Sequence, residues 1–488
     1  MATTTTAFSF SSSSSFAASL AFFLLLSLNT ANGDGTFGVQ QQLHFHTVQL
    51  SSLFPADSCS PAPSTKGLNK LPVFHKHGPC AQAQQLTSTA NQPKPTADEI
   101  LRQDEFRVQK IQSRSRKAAA AGADDVRVTD STTIPAKDGS TVGSGNYIVT
   151  VGLGTPAKKL SLIFDTGSDV TWTQCQPCVR SCYQQKEKIF DPSSSKTYRN
   201  VSCEAAACSA LAAATGNRGC SASTCVYGIQ YGDASISAGF FAIEKLTLTK
   251  TDVVDEFYIG CGQNNQGNFG GAAGLLGLGR NQLSLVSQTS DKYKKLFSYC
   301  LPSSPSGTGF LTFGGGATKS AVKYTPIASV AGGDNFYGIG ITAISVGGKK
   351  LPVAASVYSA AGAIIDSGTV ITRLPPAAYS ALRSAFRKQM SKYPLGQALS
   401  ILDTCYDLSK FKTFAVPKIG FFFAGGAEVD IDAVGILYAN KPSQVCLAFA
   451  GNGGAKDVAI FGNVQQLTLE VVYDGAGGRI GFASGGCK

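Results

Sequence analysis

The chain has 488 residues, a formal net charge of +11, 53 glycines and 14 cysteines, with only 15% charged residues against 43% hydrophobic ones. That length holds more than one domain, and low charge with abundant glycine suits a β-rich body with many turns. All four histidines (His44, His46, His75 and His77) precede residue 80, so the rest of the chain excludes Ser-His-Asp and Cys-His catalysis and any histidine-ligated zinc site.

A Ser/Thr-rich start runs into the apolar stretch Ala17–Leu28, which has signal-peptide length and is too short to span a bilayer. Residues 1–33 are therefore read as a secretory signal. The basic flank of such signals is missing, and Ser/Thr richness without acidic residues is also a feature of plastid transit peptides. No later stretch is apolar for long enough to cross a membrane.

Residues 34–133 are polar and rich in Pro, Ser and Ala. Thr96-Ala97-Asp98-Glu99 has capping-box form and opens a helix running to about Arg116, with Ile100, Leu101, Val108 and Ile111 on a partly apolar face. Lys110, Arg114, Arg116 and Lys117 cluster toward its end. The segment reads as a prosegment whose helix docks on the body and whose end cations approach acidic groups there. Ala118–Ala121 through Asp125 reads as an exposed linker open to cutting. His44-x-His46 and His75-x-His77 are read as surface polar residues.

The body is expected from Ile134. Tyr147–Val151 alternates as a strand, and the next strand, Leu162-Ile163-Phe164, runs into Asp165-Thr166-Gly167-Ser168. The pattern recurs in the other half of the chain as Ala363-Ile364-Ile365 followed by Asp366-Ser367-Gly368-Thr369. Each copy has a later apolar-apolar-glycine partner, Leu275-Leu276-Gly277 and Ile460-Phe461-Gly462. A single such tripeptide is weak evidence; two with matched flanks point to duplicated lobes whose glycine turns carry carboxylates into a shared cleft. Further strands are expected at Phe310–Phe313, Phe336–Val346, Phe421–Phe423, Val429–Ile431, Leu467–Tyr473 and Arg479–Phe482. Gly347-Gly348 suggests a hairpin turn, and Ala377–Met390 a helix.

Twelve cysteines lie in the body: Cys175, Cys178, Cys182, Cys203, Cys208, Cys220, Cys225, Cys261, Cys300, Cys405, Cys446 and Cys487. A metal or Fe–S reading of Cys175-x-x-Cys178-x-x-x-Cys182 is weighed against disulfides, which secretory entry favours; spacing does not give the connectivity. Asn200-Val201-Ser202 is a glycosylation sequon, with Cys203 directly after it.

On the two aspartate motifs the chain resembles the pepsin-like aspartic proteases, in particular the cysteine-rich plant branch of nepenthesin and the chloroplast-nucleoid protease, over roughly residues 134 to 488. The resemblance implies a mainly β, bilobal fold with an N-terminal prosegment, lobes at 134–320 and 321–488, and no metal or organic cofactor. It implies an Asp165/Asp366 catalytic pair, with Thr166 and Ser367 cross-linking the two loops and the outer hydroxyls of Ser168 and Thr369 bonding the carboxylates. Trp172 is expected to bond a flap tyrosine, Tyr231, and six bridges are expected in the body, Cys405–Cys446 foremost. The substrates are peptides or proteins bound in extended form by a monomer without a membrane anchor, secreted to the apoplast or vacuole, or alternatively plastid-located. Two other readings stand beside it: a non-enzymatic inhibitor or binding protein on the same fold, and accessory nucleic-acid binding prompted by the positive charge. That charge is scattered, with Lys292–Lys295 the densest cluster, which favours an ordinary solvated surface.

Overall fold

The computed structural model describes residues 44–60, 70–83, 95–121, 147–231, 235–267, 269–315, 321–330 and 335–487. The segment read as a signal peptide, the 122–125 part of the linker and the flap tip at 232–234 lie outside them.

The architecture is built twice. Lys158–Asp165 pairs in parallel with Gly274–Gly277, setting Phe164 opposite Leu276 and Asp165 opposite Gly277. In the other half, Ala363–Ile365 pairs in parallel with Ala459–Phe461, setting Ile365 opposite Phe461. The residues running into each aspartate, Leu162 to Phe164 and Ala363 to Ile365, are apolar and buried, as are Leu276 and Phe461 opposite them, as expected for strands covered on both faces. A third strand closes each motif: Trp172–Gln174 runs antiparallel to Gly274–Gly277, and Thr372–Leu374 does so against Ala459–Phe461. The result is a bilobal, sheet-rich body with one aspartate-bearing turn per lobe.

The lobes share a sheet. Strand Leu469–Asp474, late in the chain, pairs with Leu296–Cys300, and Arg479–Ser484 beside it pairs with Lys323–Pro326. The expected boundary near residue 320 therefore separates sequence more cleanly than it separates structure. Between strands Ile341–Val346 and Lys349–Lys350 the chain reverses through Gly347 and Gly348, both at positive φ (56° and 75°), the backbone that a tight hairpin demands and that glycine adopts without strain. The helix expected at 377–390 spans Pro376–Gln389.

All fourteen cysteines are bridged. Six bridges lie in the body: Cys175–Cys261, Cys178–Cys182, Cys203–Cys220, Cys208–Cys225, Cys300–Cys487 and Cys405–Cys446. The seventh, Cys59–Cys80, staples the N-terminal segment. Such a framework belongs to an oxidising compartment, in keeping with secretion. No described helix is long and apolar enough to cross a membrane.

The N-terminal segment holds more structure than its sequence suggested. Phe45–Gln49 forms a strand against Thr413–Pro417. Lys70–His75 pairs on one side with Gly309–Phe313 and on the other, through Phe74 and His75, with the start of Tyr147–Leu153. Pro72 lies opposite Phe310 in the first pairing, and the second begins only at Phe74, so Pro72 sits in a stretch with one strand edge unpaired, where proline is tolerated. These pairings half-bury His46 and His75, read earlier as surface residues; His46 Nε2 bonds the carbonyl of Ile431 (3.1 Å). The long helix covers Ala97–Ala121, five residues past the expected end. Alanine has the highest helix propensity, so the Ala118–Ala121 run continues the helix where a linker was expected. The capping box forms: Thr96 N–H donates to Glu99 Oε2 (2.7 Å), and Glu99 N–H to Thr96 Oγ1 (3.2 Å).

Candidate active site

The two aspartate turns meet. Thr166 N–H donates to Ser367 Oγ (3.1 Å) and Ser367 N–H to Thr166 Oγ1 (2.9 Å), a reciprocal link between loops that are remote in sequence. Gly167 N–H donates to Asp165 Oδ1 (2.9 Å) and Gly368 N–H to Asp366 Oδ1 (3.0 Å), so each carboxylate is oriented by its own turn. The glycines are required by space. A Cβ on Gly167 would lie 2.8 Å from Asp366 Oδ1, and one on Gly368 would lie 2.6 Å from Asp165 Oδ1.

The outer hydroxyls differ. Thr369 Oγ1 donates to Asp366 Oδ2 (2.5 Å), whereas the buried Ser168 Oγ has no hydrogen-bond partner. The expected symmetry therefore fails at Ser168, although both carboxylates meet the same guanidinium.

That guanidinium belongs to Arg107, on the Ala97–Ala121 helix. Its Nη2 bonds Asp165 Oδ1 (2.8 Å) and Asp366 Oδ1 (2.9 Å), Nη1 bonds Asp165 Oδ2 (3.1 Å), and Nε bonds Asp366 Oδ2 (3.0 Å). One planar fork thus reaches all four carboxylate oxygens, which a lysine ammonium lacks the geometry to do. Burial alone would push Asp366 up, but the Arg107 charge, with donation from Arg107, Thr369 and Gly368, holds it below the ordinary aspartate value. Burial opposes the charge on Arg107 as well, and the two carboxylates more than offset it. Asp169 lies just beyond, accepting from Asn281 N–H (2.9 Å), and burial pushes its carboxyl up to about 6.

The sequence had pointed to the cations at the helix end, and the contact is made by Arg107 instead. Lys110 and Arg114 line the recess beside Asp165 and Tyr231, Arg116 pairs at the surface with Asp457 (3.2 Å), and the side chain of Lys117 lies outside the described residues. The usable signal was spacing. Leu101, Asp104, Val108, Ile111 and Ser115 recur at threes and fours and are all buried, and Arg107 lies on that face. Leu101 packs with Val370, Ile371, Leu399 and Leu402, whereas Val108 and Ile111 pack with Phe336, Ile364, Val458 and Ile460. Gln112 closes the contact, donating to Val458 O (2.7 Å) and accepting from Val458 N–H (2.8 Å). The helix therefore fills the cleft above the aspartates.

Trp172 Nε1 donates to Tyr231 Oη (2.6 Å), with Phe269 edge-on to the indole at 5.1 Å. Tyr231 stands at the end of strand Thr224–Gln230, where the hairpin to Ile236–Thr247 begins. Asn200 is exposed on the short strand Arg199–Asn200 and accepts from Tyr198 Oη (2.9 Å).

Residues 147–315 match the family described as Xylanase inhibitor N-terminal, and residues 336–484 the one described as Xylanase inhibitor C-terminal. An aspartyl protease family protein of Arabidopsis thaliana is 58% identical over 475 residues, covering 96% of this chain and 98% of that protein. Aspartyl protease AED1 of the same plant is 53% identical over 475 residues, with the same coverage. Aspartic proteinase nepenthesin-2 of Nepenthes gracilis is 36% identical over 343 residues, covering 68% and 76%. Among solved structures, basic 7S globulin from soybean superposes with a TM-score of 0.56 at 21% identity, over 69% of this chain and 92% of that one, a likeness of fold. The fold and these relatives define the class, an aspartic-type endopeptidase of pepsin-like architecture. Within that class the chain belongs to the plant aspartyl protease family.

Proposed function

We propose that the chain is the precursor of an acid endopeptidase in which Asp165 and Asp366 are the catalytic pair and residues 34–133 are a prosegment that holds it inactive through Arg107. The observation that carries this reading is the single guanidinium bonded to both carboxylates. Once it leaves, two facing carboxylates cannot both ionise cheaply and share one proton, the established behaviour of aspartic protease pairs. The ionised member takes a proton from a water molecule, whose oxygen attacks the scissile carbonyl carbon. The protonated member donates to the carbonyl oxygen, and a proton then passes to the leaving nitrogen as the C–N bond breaks.

Thr166 and Ser367 fix the separation of the two loops, and Thr369 orients Asp366. The hairpin carrying Tyr231 closes over an extended peptide and excludes water. Residues 1–33 are the secretory signal, 134–320 and 321–488 the two lobes, and Asn200 a glycan site; the product acts in the apoplast or vacuole.

The test is digestion of a protein substrate at pH ~4 and ~7 with and without pepstatin, on the wild type and on Asp165→Asn and Asp366→Asn. Acid-dependent, pepstatin-sensitive cleavage that both substitutions abolish is expected. Undiminished cleavage in both variants refutes the assignment, and complete inactivity of the processed wild type favours the inhibitor reading that the family descriptions raise.

A further inference from the structure

Three residues before Arg107, Asp104 enters a second site in the cleft. Its carboxylate is fully buried and accepts from Val370 N–H (2.6 Å), Ile371 N–H (3.1 Å) and Arg373 Nη2 (3.0 Å). Arg373 is itself only 1% exposed, and its Nη2 also pairs with Glu105 (3.2 Å). Its Nε is buried without a partner. Among the described residues the ion pairs of Arg373 are with Asp104 and Glu105, and both of those acids ride on the helix. Departure of the helix thus strips a guanidinium and two adjacent backbone N–H groups of every anion they hold, while the donors stay fixed on the strand edge beside Asp366. These donors then face the opened cleft, where a carboxylate of a bound peptide can replace the ones lost with the helix.

We propose that Arg373, with the Val370 and Ile371 amides, forms a subsite for an acidic side chain, so that the processed enzyme prefers peptides carrying Asp or Glu close to the cut bond. The inference rests on the endopeptidase reading above and adds the substrate class. The helix sets the position. Asp104 and Arg107 are one turn apart, about 4.5 Å along the axis, and an extended peptide advances about 3.3 Å per residue. The acidic residue therefore falls one or two residues from the scissile bond. The flanking sites of Leu101 on one side and of Val108 and Ile111 on the other are apolar, so the preference combines one acid with apolar neighbours.

The experiment takes the full chain, processes it in acid, and measures kcat/KM at pH ~5, where a glutamate is largely ionised. The substrates are N-acetylated, C-amidated peptides that differ only by Glu or Gln at one interior position, scanned across the cut bond. The wild type is expected to prefer Glu about tenfold at one position next to or one removed from the bond, the worth of a charge-assisted hydrogen bond. In the paired variant Arg373→Gln/Asp104→Asn, which keeps the two side chains able to bond each other, the Glu/Gln ratio falls toward one. A purely structural role for Arg373 would leave that ratio unmoved. A wild-type ratio near one at every position, with cleavage intact, overturns the subsite and leaves the endopeptidase reading standing. Absence of cleavage of any peptide overturns both. The wild-type scan needs no variant, so misfolding of the pair does not shield the proposal.

Discussion

Trp172 and Arg373 occupy equivalent places in the two lobes: each stands at the same offset beyond its aspartate, Trp172 opposite Leu275 and Arg373 opposite Ile460 on the partner strand. One scaffold position has thus taken two tasks. In the first lobe it anchors the tyrosine of the covering hairpin, and in the second it receives the acids of the N-terminal helix.

Trp172→Phe keeps the ring packed near Phe269 but removes the donor to Tyr231. One buried hydrogen bond is worth about 1 kcal/mol, so unfolding should shift only slightly. Peptide cleavage should fall about tenfold, because the hairpin loses its anchor when it closes. Thermal unfolding and kcat/KM measured on the same preparation separate the two effects.

Acid should release the helix, and the sign follows from Asp366. Asp366 is held below its ordinary value while Arg107 is docked, so docking is stabilised above the released-state pKa and that stabilisation is lost as pH falls through the docked one. Asp104 works the other way. Burial holds it above its ordinary value, so acid favours its docked form. Release on acidification therefore comes from Asp366. Processing of the precursor on denaturing gels from pH ~3 to ~7 should rise steeply below about pH 4. Equal processing at all pH values would count against the mechanism.

Arg107→Gln should move that transition to higher pH. Removing one partner of a buried charge pair costs about 3–5 kcal/mol, here borne by the docked state. The same variant should give peptidase activity at a mildly acidic pH where the wild-type precursor is still docked and inactive, read with a fluorogenic peptide.

Leu101→Ala tests docking without touching charge. Leu101 is fully buried among apolar side chains of the second lobe, and truncation there costs about 2–5 kcal/mol. The precursor should process faster at a given acid pH, while the processed product, lacking the helix, should have wild-type kinetics.

Cys300→Ala/Cys487→Ala opens the bridge with the greatest sequence separation, 187 residues, which ties the C-terminal end to the shared sheet. Chain-entropy reasoning gives about 5 kcal/mol for a loop of that size. The denaturant midpoint should fall accordingly, and an unchanged midpoint would show that the sheet alone secures the end.

Much of this was legible in the sequence because it is carried by local pattern. The strand-to-aspartate runs and their apolar-glycine partners each declare themselves by residue type and offset, whereas the Trp172–Tyr231 pair was expected from the resemblance to pepsin-like proteases. Arg107 was not legible from charge density, which peaks at the helix end, whereas the buried face is set by the spacing of Leu101, Asp104, Val108 and Ile111. Lys70–His75 was missed because a short stretch containing Pro72 lacks strand periodicity, and its register comes from strands that are distant in sequence. Disulfide pairing is likewise a property of the folded chain. The difference between Ser168 and Thr369 was not legible, because both turns read aspartate, hydroxyl, glycine, hydroxyl.

The placement of Lys70–His75 between Gly309–Phe313 and Tyr147–Leu153 separates cutting from departure. A protease that nicks the chain after the helix severs one peptide bond, yet the severed piece remains laced into the body by two ladders and by the pairing of Phe45–Gln49. On the proposed maturation, extraction is a stage of its own, and nicked protein that still carries the segment should persist as a two-chain species on a native gel.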